Sequence, residues 1–281
     1  MNLRNSAFHP LKRMFRGIRN RWSAYRNRKA DFGAYRRWLK HHPGSKFKQF
    51  YVDTIKGYLV GEGGPHSTLG PHPIWQKQGG EILQQLIELG LRPGDVVVDY
   101  GCGTLREGIH LIRFLEADRY IGLDIDERVL DAGRRLVGQD LLVEKKPCLA
   151  VINPEIIAQA AAARPAWILS SYVLSQMPPE DLDEYFDNLV KLMGGGGKAA
   201  LQLRLAWRTM QYSRTGWYHN RRQVARRLAK RGLEVLQTKT RQLTSKPYKV
   251  RGVDVRLIVG RKSGVGGRRP GQQCHRDQTR V

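Results

Sequence analysis

Short apolar runs alternate with amphipathic stretches along most of this chain, which is the pattern of a sheet covered by helices on both faces. Asp95 to Val98 is led by β-branched residues and predicts a buried parallel strand, ended by Asp99. Thr104 to Leu115 puts Ile109, Ile112 and Leu115 on one helical face. A second strand spans Arg119 to Asp126, followed by a helix over Arg128–Leu142 and a third strand over Cys148–Ile152. An alanine-rich helix at Ala158–Ala163 leads to a fourth strand at Trp167–Ser171. The helix and glycine turn of Asp181–Gly197 precede a fifth strand at Lys198–Leu205. Trp207 to Trp217 is expected to be a loop placed to cover a substrate, and Asn220–Lys230 a basic helix. Leu233–Thr240 and Val253–Val259 close the sheet as an antiparallel pair.

Before this core, Phe8, Leu11, Phe15, Ile18, Trp22 and Tyr25 recur at steps of three and four, giving a basic amphipathic helix. Its fates are an anionic membrane surface, a nucleic-acid backbone or packing on its own domain, and its composition also resembles an organellar transit peptide. A second helical stretch runs from Asp31 with Phe32, Tyr35 and Leu39 inward, stopping before His42, and residues 47–60 form an aromatic-rich one expected to pack near the entrance of the ligand site. Gly61 to Pro73 holds four glycines and three prolines, and predicts a long loop and candidate lid. The helix Ile74–Leu89 leads into the first strand.

The candidate chemistry sits where the first strand ends. Gly101 and Gly103 supply a turn in which the backbone takes unusual angles and lets a ligand approach closely, with Cys102 as a small filler. Asp124, 23 residues past Gly101, stands where a strand-end carboxylate of a doubly wound fold meets ribose hydroxyls. No G-x-G-x-x-G and no G-K-S/T occurs, and Asp99 in the turn would repel a pyrophosphate. A nucleoside site without phosphates therefore fits better than a dinucleotide or triphosphate site. Asp126 reads as the cap of the following helix.

From Gly57 to Gly260 the chain resembles the class I S-adenosylmethionine-dependent methyltransferases, on its D-Y-G-C-G turn, on Asp124, and on S-S-Y-V-L-S-Q-M-P at the fourth strand. The resemblance implies a Rossmann-like α/β fold, a seven-stranded and mostly parallel sheet with helices on both faces. It implies S-adenosyl-L-methionine as cofactor, with Asp99, Gly101, Cys102, Gly103, Thr104, Asp124, Ile125 and Ser171 at its site. Three positions depart from the family pattern: Leu105 replaces a third glycine, Gln176 replaces the histidine of the fourth-strand motif, and Asn153 stands in for an adenine-contacting acid. With no histidine at position 176, His66 and His72 of the loop are the remaining candidate bases, and Tyr172 a candidate for shaping the site. No D/N-P-P-Y/F follows the fourth strand, against adenine-amine chemistry, and no P-C dipeptide stands where a pyrimidine C5 nucleophile belongs.

Charge divides the chain into a basic helical extension over residues 1–56 at net +13, a methyltransferase domain over 57–260, and a basic tail over 261–281 at net +5. Within the domain, residues 57–197 are net −8 and residues 198–260 net +14, so an anionic partner is expected on the side opposite the cofactor half. The tail, rich in Gly, Arg and Gln, has the composition of a disordered segment. Three cysteines without paired spacing suggest no metal site and no disulfide framework, and a reducing compartment. No apolar run approaches 18 residues, so the expected location is the cytoplasm, with peripheral membrane attachment through the basic ends as an alternative. These features support a methyltransferase for a small-molecule or glycan- or lipid-linked acceptor. The alternatives are an RNA or ribosome-associated methyltransferase and a non-catalytic cofactor-binding scaffold.

Overall fold

A computed structural model describes residues 33–55, 72–242 and 252–262, without the side chains of residues 55, 72–78, 241 and 242. The basic amphipathic helix of the first 30 residues, residues 61–71 of the expected loop with His66, and residues 263–281 of the tail lie outside the described residues.

Helix α1 (Ala34–His41) and helix α2 (Phe47–Ile55) form an aromatic hairpin around Phe47 and Phe50, both buried. Helix α3 (His72–Glu88) starts two residues earlier than expected, so His72 and Pro73 belong to its first turn, a position that tolerates proline. Then follow β1 (Val97–Tyr100), α4 (Gly108–Phe114), β2 (Tyr120–Asp124), α5 (Glu127–Val137), α6 (Gln139–Lys145), β3 (Cys148–Val151), α7 (Pro154–Ala162) and β4 (Trp167–Ser171). The chain continues through α8 (Leu182–Met193), β5 (Lys198–Ala206), β6 (Met210–Gln211), β7 (Trp217–Asn220), α9 (Arg221–Lys230), β8 (Leu233–Gln242) and β9 (Val253–Arg261).

The main sheet runs β3-β2-β1-β4-β5-β9-β8, parallel from β3 to β5, with β9 antiparallel to β5 and to β8. Strand order reverses between β1 and β4, and ligands of open α/β sheets bind outside the carboxyl ends at that switch point. Two apolar layers sandwich the sheet. One is built on Val98, Leu201, Leu203 and Leu257 against α8 and α9, the other on Val97, Leu169, Ala200 and Ile258 against α3 and α4.

Four expectations need correction. The segment from Trp207 is not an open loop: β6 and β7 form a hairpin, and β7 lies parallel to β5 through Leu205–His219 and Ala206–Asn220. Leu205 also pairs with Val253 of β9, so β7 occupies the edge of β5 that β4 vacates after Ser171. Among the described residues the sheet therefore has nine strands, the seven expected and two short ones. The single helix expected over 128–142 is two, broken at Gly138, whose φ of 86° is the left-handed backbone that glycine accepts.

The third correction concerns α4, which begins at Gly108 rather than near Thr104. Leu105 has a φ of 63°, and a left-handed residue cannot start a right-handed helix. Its side chain is fully buried, and Gly108 and Gly133 make room for it, since a Cβ on either would stand 2.8 Å from a Leu105 carbon. The expected third glycine thus keeps its backbone conformation while its place is filled by a leucine locked from two sides. Finally, Asn153 caps α7 by accepting from the Ile156 N–H, so its side chain is committed to the helix end. Asp126 caps α5 as expected, accepting from the Arg128 N–H at 3.1 Å.

Candidate functional site

The turn after β1 is held from below by β2. The Leu123 carbonyl accepts from the N–H of Gly101 at 2.7 Å and of Cys102 at 3.0 Å. Asp124, the last residue of β2, closes it from the side: one carboxylate oxygen accepts from the Gly103 N–H at 2.8 Å, the other from the Ile125 N–H at 2.7 Å. Burial pushes the Asp124 carboxyl up, against the neighbouring backbone N–H groups, Gly103 first, that hold it down. An ionised carboxylate has about four lone-pair positions. Two face the backbone, and the rest of the group lines a cleft of about 220 Å³.

Gly101, Cys102, Gly103, Thr104, Asp124, Ile125 and Ser171 all line this cleft, seven of the eight expected cofactor residues. The two glycines serve different purposes. At Gly101, with a φ of 86°, a Cβ would stand 2.1 Å from Val173 Cγ2, so the turn packs tightly on the segment after β4. At Gly103, with a φ of 57°, a Cβ would meet nothing within 4 Å. Open space beside its backbone is what a closely approaching ligand requires. The hydroxyls of Thr104 and Ser171 are buried without a hydrogen-bond partner, an uncommon condition that a bound polar molecule would relieve. Ile125, Val129 and Ile152 give one flank an apolar surface suited to a flat ring.

Asp99 is the exception. Val98 and Tyr100 face the α8 layer, so alternation along β1 sends Asp99 to the α4 side, where it is 2% exposed and accepts from the Tyr120 hydroxyl at 2.8 Å. Burial, reinforced by the nearby Glu107 charge, pushes its carboxyl up to about 8. It supports the turn from behind the cleft rather than facing a ligand. Cys102 is likewise buried, and burial raises its thiol well above the usual range, which suits a filler and not a nucleophile.

The aromatic stretch expected near the cofactor entrance forms the roof of the cleft. Phe47, Lys48 and Tyr51 of α2 line the cleft, and the Tyr51 hydroxyl donates to the Gln176 side-chain carbonyl. The position where the family carries histidine is therefore engaged with the roof. Arg214, from the β6–β7 turn, lies over the Phe50 ring at 5.5 Å. Tyr172 does not line the cleft. It lies beyond Arg106 and Glu107, a buried ion pair that walls this cleft and a neighbouring cavity. His72 opens α3 with its side chain outside the described residues.

The strand order 3-2-1-4-5 followed by an antiparallel closing strand, with a glycine turn and a strand-end acid at the switch point, decides the fold. The chain has the fold of the class I S-adenosylmethionine-dependent methyltransferases. No family model matches the sequence. Solved structures of similar fold include an S-adenosylmethionine-dependent methyltransferase from Anabaena variabilis, with TM-score 0.57, 15% identity, 79% of this chain and 97% of that one. Magnesium protoporphyrin IX methyltransferase from Synechocystis, solved with bound S-adenosylmethionine, is similar with TM-score 0.56 and 18% identity over 78% of this chain and 99% of its own. A Burkholderia thailandensis methyltransferase bound to 1,6-didemethyltoxoflavin and S-adenosylhomocysteine aligns with TM-score 0.50 and 15% identity, over 77% and 87% of the two chains.

Two predictions arise from this geometry. Gly101→Ala is expected to destabilise the fold by about 2–4 kcal/mol, from its positive φ and from overpacking against Val173. Gly103→Ala is expected to cost about 1 kcal/mol for its backbone angle alone, yet to obstruct the cleft. Chemical denaturation of both variants, with ligand titration of the second, checks the contrast; equal stability losses would contradict it. The second concerns Asp99. A carboxyl raised in the folded state binds more protons folded than unfolded, so its contribution to stability falls as pH rises from about 4 towards 8. Asp99→Asn, which cannot ionise, is expected to gain melting temperature relative to the unsubstituted protein across that range. A deficit that widens with pH would contradict the assignment.

Proposed function

We propose that the protein is an S-adenosylmethionine-dependent methyltransferase acting on a small-molecule acceptor. The observation that carries this reading is the convergence, in one cleft at the switch point, of Asp124, the open approach at Gly103 and the orphaned hydroxyls of Thr104 and Ser171. The groups fit the cofactor one by one. Asp124 has lone pairs left for ribose hydroxyls, Ile125, Val129 and Ile152 offer an apolar bed for the adenine, and Thr104 and Ser171 meet a polar amino-acid end. When bound, the cofactor supplies an electrophilic methyl group on a sulfonium.

What the chain contributes is position and dryness. The Tyr51–Gln176 hydrogen bond draws α2 over the cleft, and Phe47 and Tyr51 exclude water above it. The leaving thioether needs no proton, so a base matters only for acceptors that lose one. Gln176 has no basic nitrogen, so it cannot take the role of the family's histidine. His66 and His72 remain the candidate bases. Among the solved structures of similar fold, those from Synechocystis and Burkholderia thailandensis hold the cofactor or its product, and the latter a small heteroaromatic acceptor, which supports the same reading here.

A second reading, methyl transfer to RNA, is favoured by one surface. Arg221, Arg222 and Arg226 of α9 are exposed, and Trp207, 70% exposed, carries the Arg208 guanidinium 4.9 Å from its ring centre. Stacking aromatics beside cations suit single strands. Under that reading, affinity for single-stranded RNA falls steeply with salt and with Trp207→Ala; weak, salt-independent binding would dispose of it.

For the leading reading, Asp124→Ala is expected to weaken S-adenosylmethionine binding by at least 100-fold in a calorimetric titration while the far-ultraviolet circular dichroism is retained. Unchanged affinity in a folded variant would remove Asp124 from the site.

A further inference from the structure

The sheet face under α3 changes character along its length. On the opposite face, β5 and β9 present Leu201, Leu203, Leu205, Val255 and Leu257 to one apolar core. On the α3 face the same strands begin apolar, with Ala200 paired to Ile258, and then run polar: Gln202 opposite Arg256 and Arg204 opposite Asp254. Strand alternation puts these four on one face, and nothing in helix-on-sheet packing asks for polar residues there. Between this row and α3 lies a second cavity of about 560 Å³. Gln202, Asp254 and Arg256 form its floor, Tyr172 stands at its side, and it shares the wall of Arg106 and Glu107 with the cofactor cleft.

The floor is unsatisfied in a specific way. Asp254 is 8% exposed; its Oδ2 accepts from the Tyr172 hydroxyl, and its Oδ1 meets no donor. Arg256, half-buried, donates from one terminal nitrogen to the Gln202 side-chain carbonyl at 3.4 Å, while its Nε meets no acceptor. Glu107, the other carboxylate at this depth, is engaged by Arg106, whereas Glu81, Glu88 and Lys239 on the rim are exposed. Tyr172 has a φ of 63°, a strained angle for a bulky residue that persists only where its surroundings impose it. A buried acceptor and a guanidinium with an unpaired Nε, two residues apart on one strand, make a two-point site.

We propose that this cavity binds the methyl acceptor, and that the acceptor is a small carboxylic acid carrying an N–H or O–H group. Its carboxylate takes the free Nε of Arg256, and its N–H or O–H donates to Oδ1 of Asp254. The assignment to an acceptor rests on the methyltransferase reading; the ligand chemistry does not. A plain anion would leave Asp254 Oδ1 facing negative charge, and a plain amine would face Arg256, so both functions are needed on one molecule. With Asp254, a paired Glu107 and the rim carboxylates Glu81 and Glu88 set against Arg256 and the rim Lys239, the cavity suits a monoanion better than a phosphate monoester.

The test is equilibrium binding to the full chain, with and without S-adenosylhomocysteine. The probes are lactate, 3-hydroxybutyrate, glutamate, 4-hydroxybenzoate and 4-aminobenzoate, the matching amides, benzoate and glycerol phosphate. At least one hydroxy or amino acid is expected to bind, with its amide at least tenfold weaker. Arg256→Gln is expected to weaken that acid at least tenfold without changing affinity for S-adenosylhomocysteine. Asp254→Asn is expected to narrow the preference for 4-hydroxybenzoate over benzoate, or for the acid that binds over its unsubstituted counterpart. No binding by any acid, equal binding to Arg256→Gln, or tighter binding of glycerol phosphate overturns the proposal. Loss of S-adenosylhomocysteine binding alone overturns the methyltransferase reading instead and leaves the cavity assignment to stand on the acid series.

Discussion

The hydrogen bond from the Gly103 N–H to the Asp124 carboxylate ties the glycine turn after β1 to the end of β2, beside the switch point. It fixes a left-handed backbone segment against the end of β2, and the cleft is shaped on that segment. Were the carboxylate elsewhere, the turn would lose its lateral support and a part-buried N–H its acceptor, a cost of about 1 kcal/mol. In the proposed cofactor site the same group would accept from the sugar hydroxyls, so that structural and binding roles would fall on one side chain.

Around this point the chain makes substitutions that keep backbone shape while changing side chains. Leu105 holds a conformation usually left to glycine, secured by Gly108 and Gly133, which have no Cβ to collide with it. Gln176 accepts from Tyr51 and so anchors the roof. The segment after β4 is itself fastened: the Tyr172 N–H donates to the Gln202 carbonyl at 2.7 Å, the Arg204 N–H to the Ser175 hydroxyl at 2.8 Å, and His219 bonds the Leu174 carbonyl at 2.6 Å. Burial lowers the His219 ring below its ordinary value, favouring the neutral form in this interior position.

Much of the fold was legible because the central strands are short, β-branched and bounded by glycine or acid, and because Gly101, Gly103 and Asp124 depend on spacing within one β-α-β unit. Asp126 as a cap was legible for the same local reason. What stayed hidden depended on distant partners. Asp99 and Asp124 look alike as strand-end acids, yet the direction of β1 turns Asp99 towards Tyr120 and away from the cleft. The β6–β7 hairpin follows from an edge that β4 leaves open, a matter of relative strand length. Asp254 and Arg256 looked like ordinary positions of a closing strand. Their meeting with Tyr172 and Gln202 needs the β5–β9 register across about 50 residues of chain.

The most direct test of the account is a crystal structure of the protein soaked with S-adenosylhomocysteine. The account predicts ligand in the Gly101–Gly103 cleft, its ribose hydroxyls on Asp124, and the Thr104 and Ser171 hydroxyls in contact with its polar end. A cleft that stays empty at saturating ligand, or a ligand bound away from Asp124, would contradict it and leave the glycine turn a purely structural device.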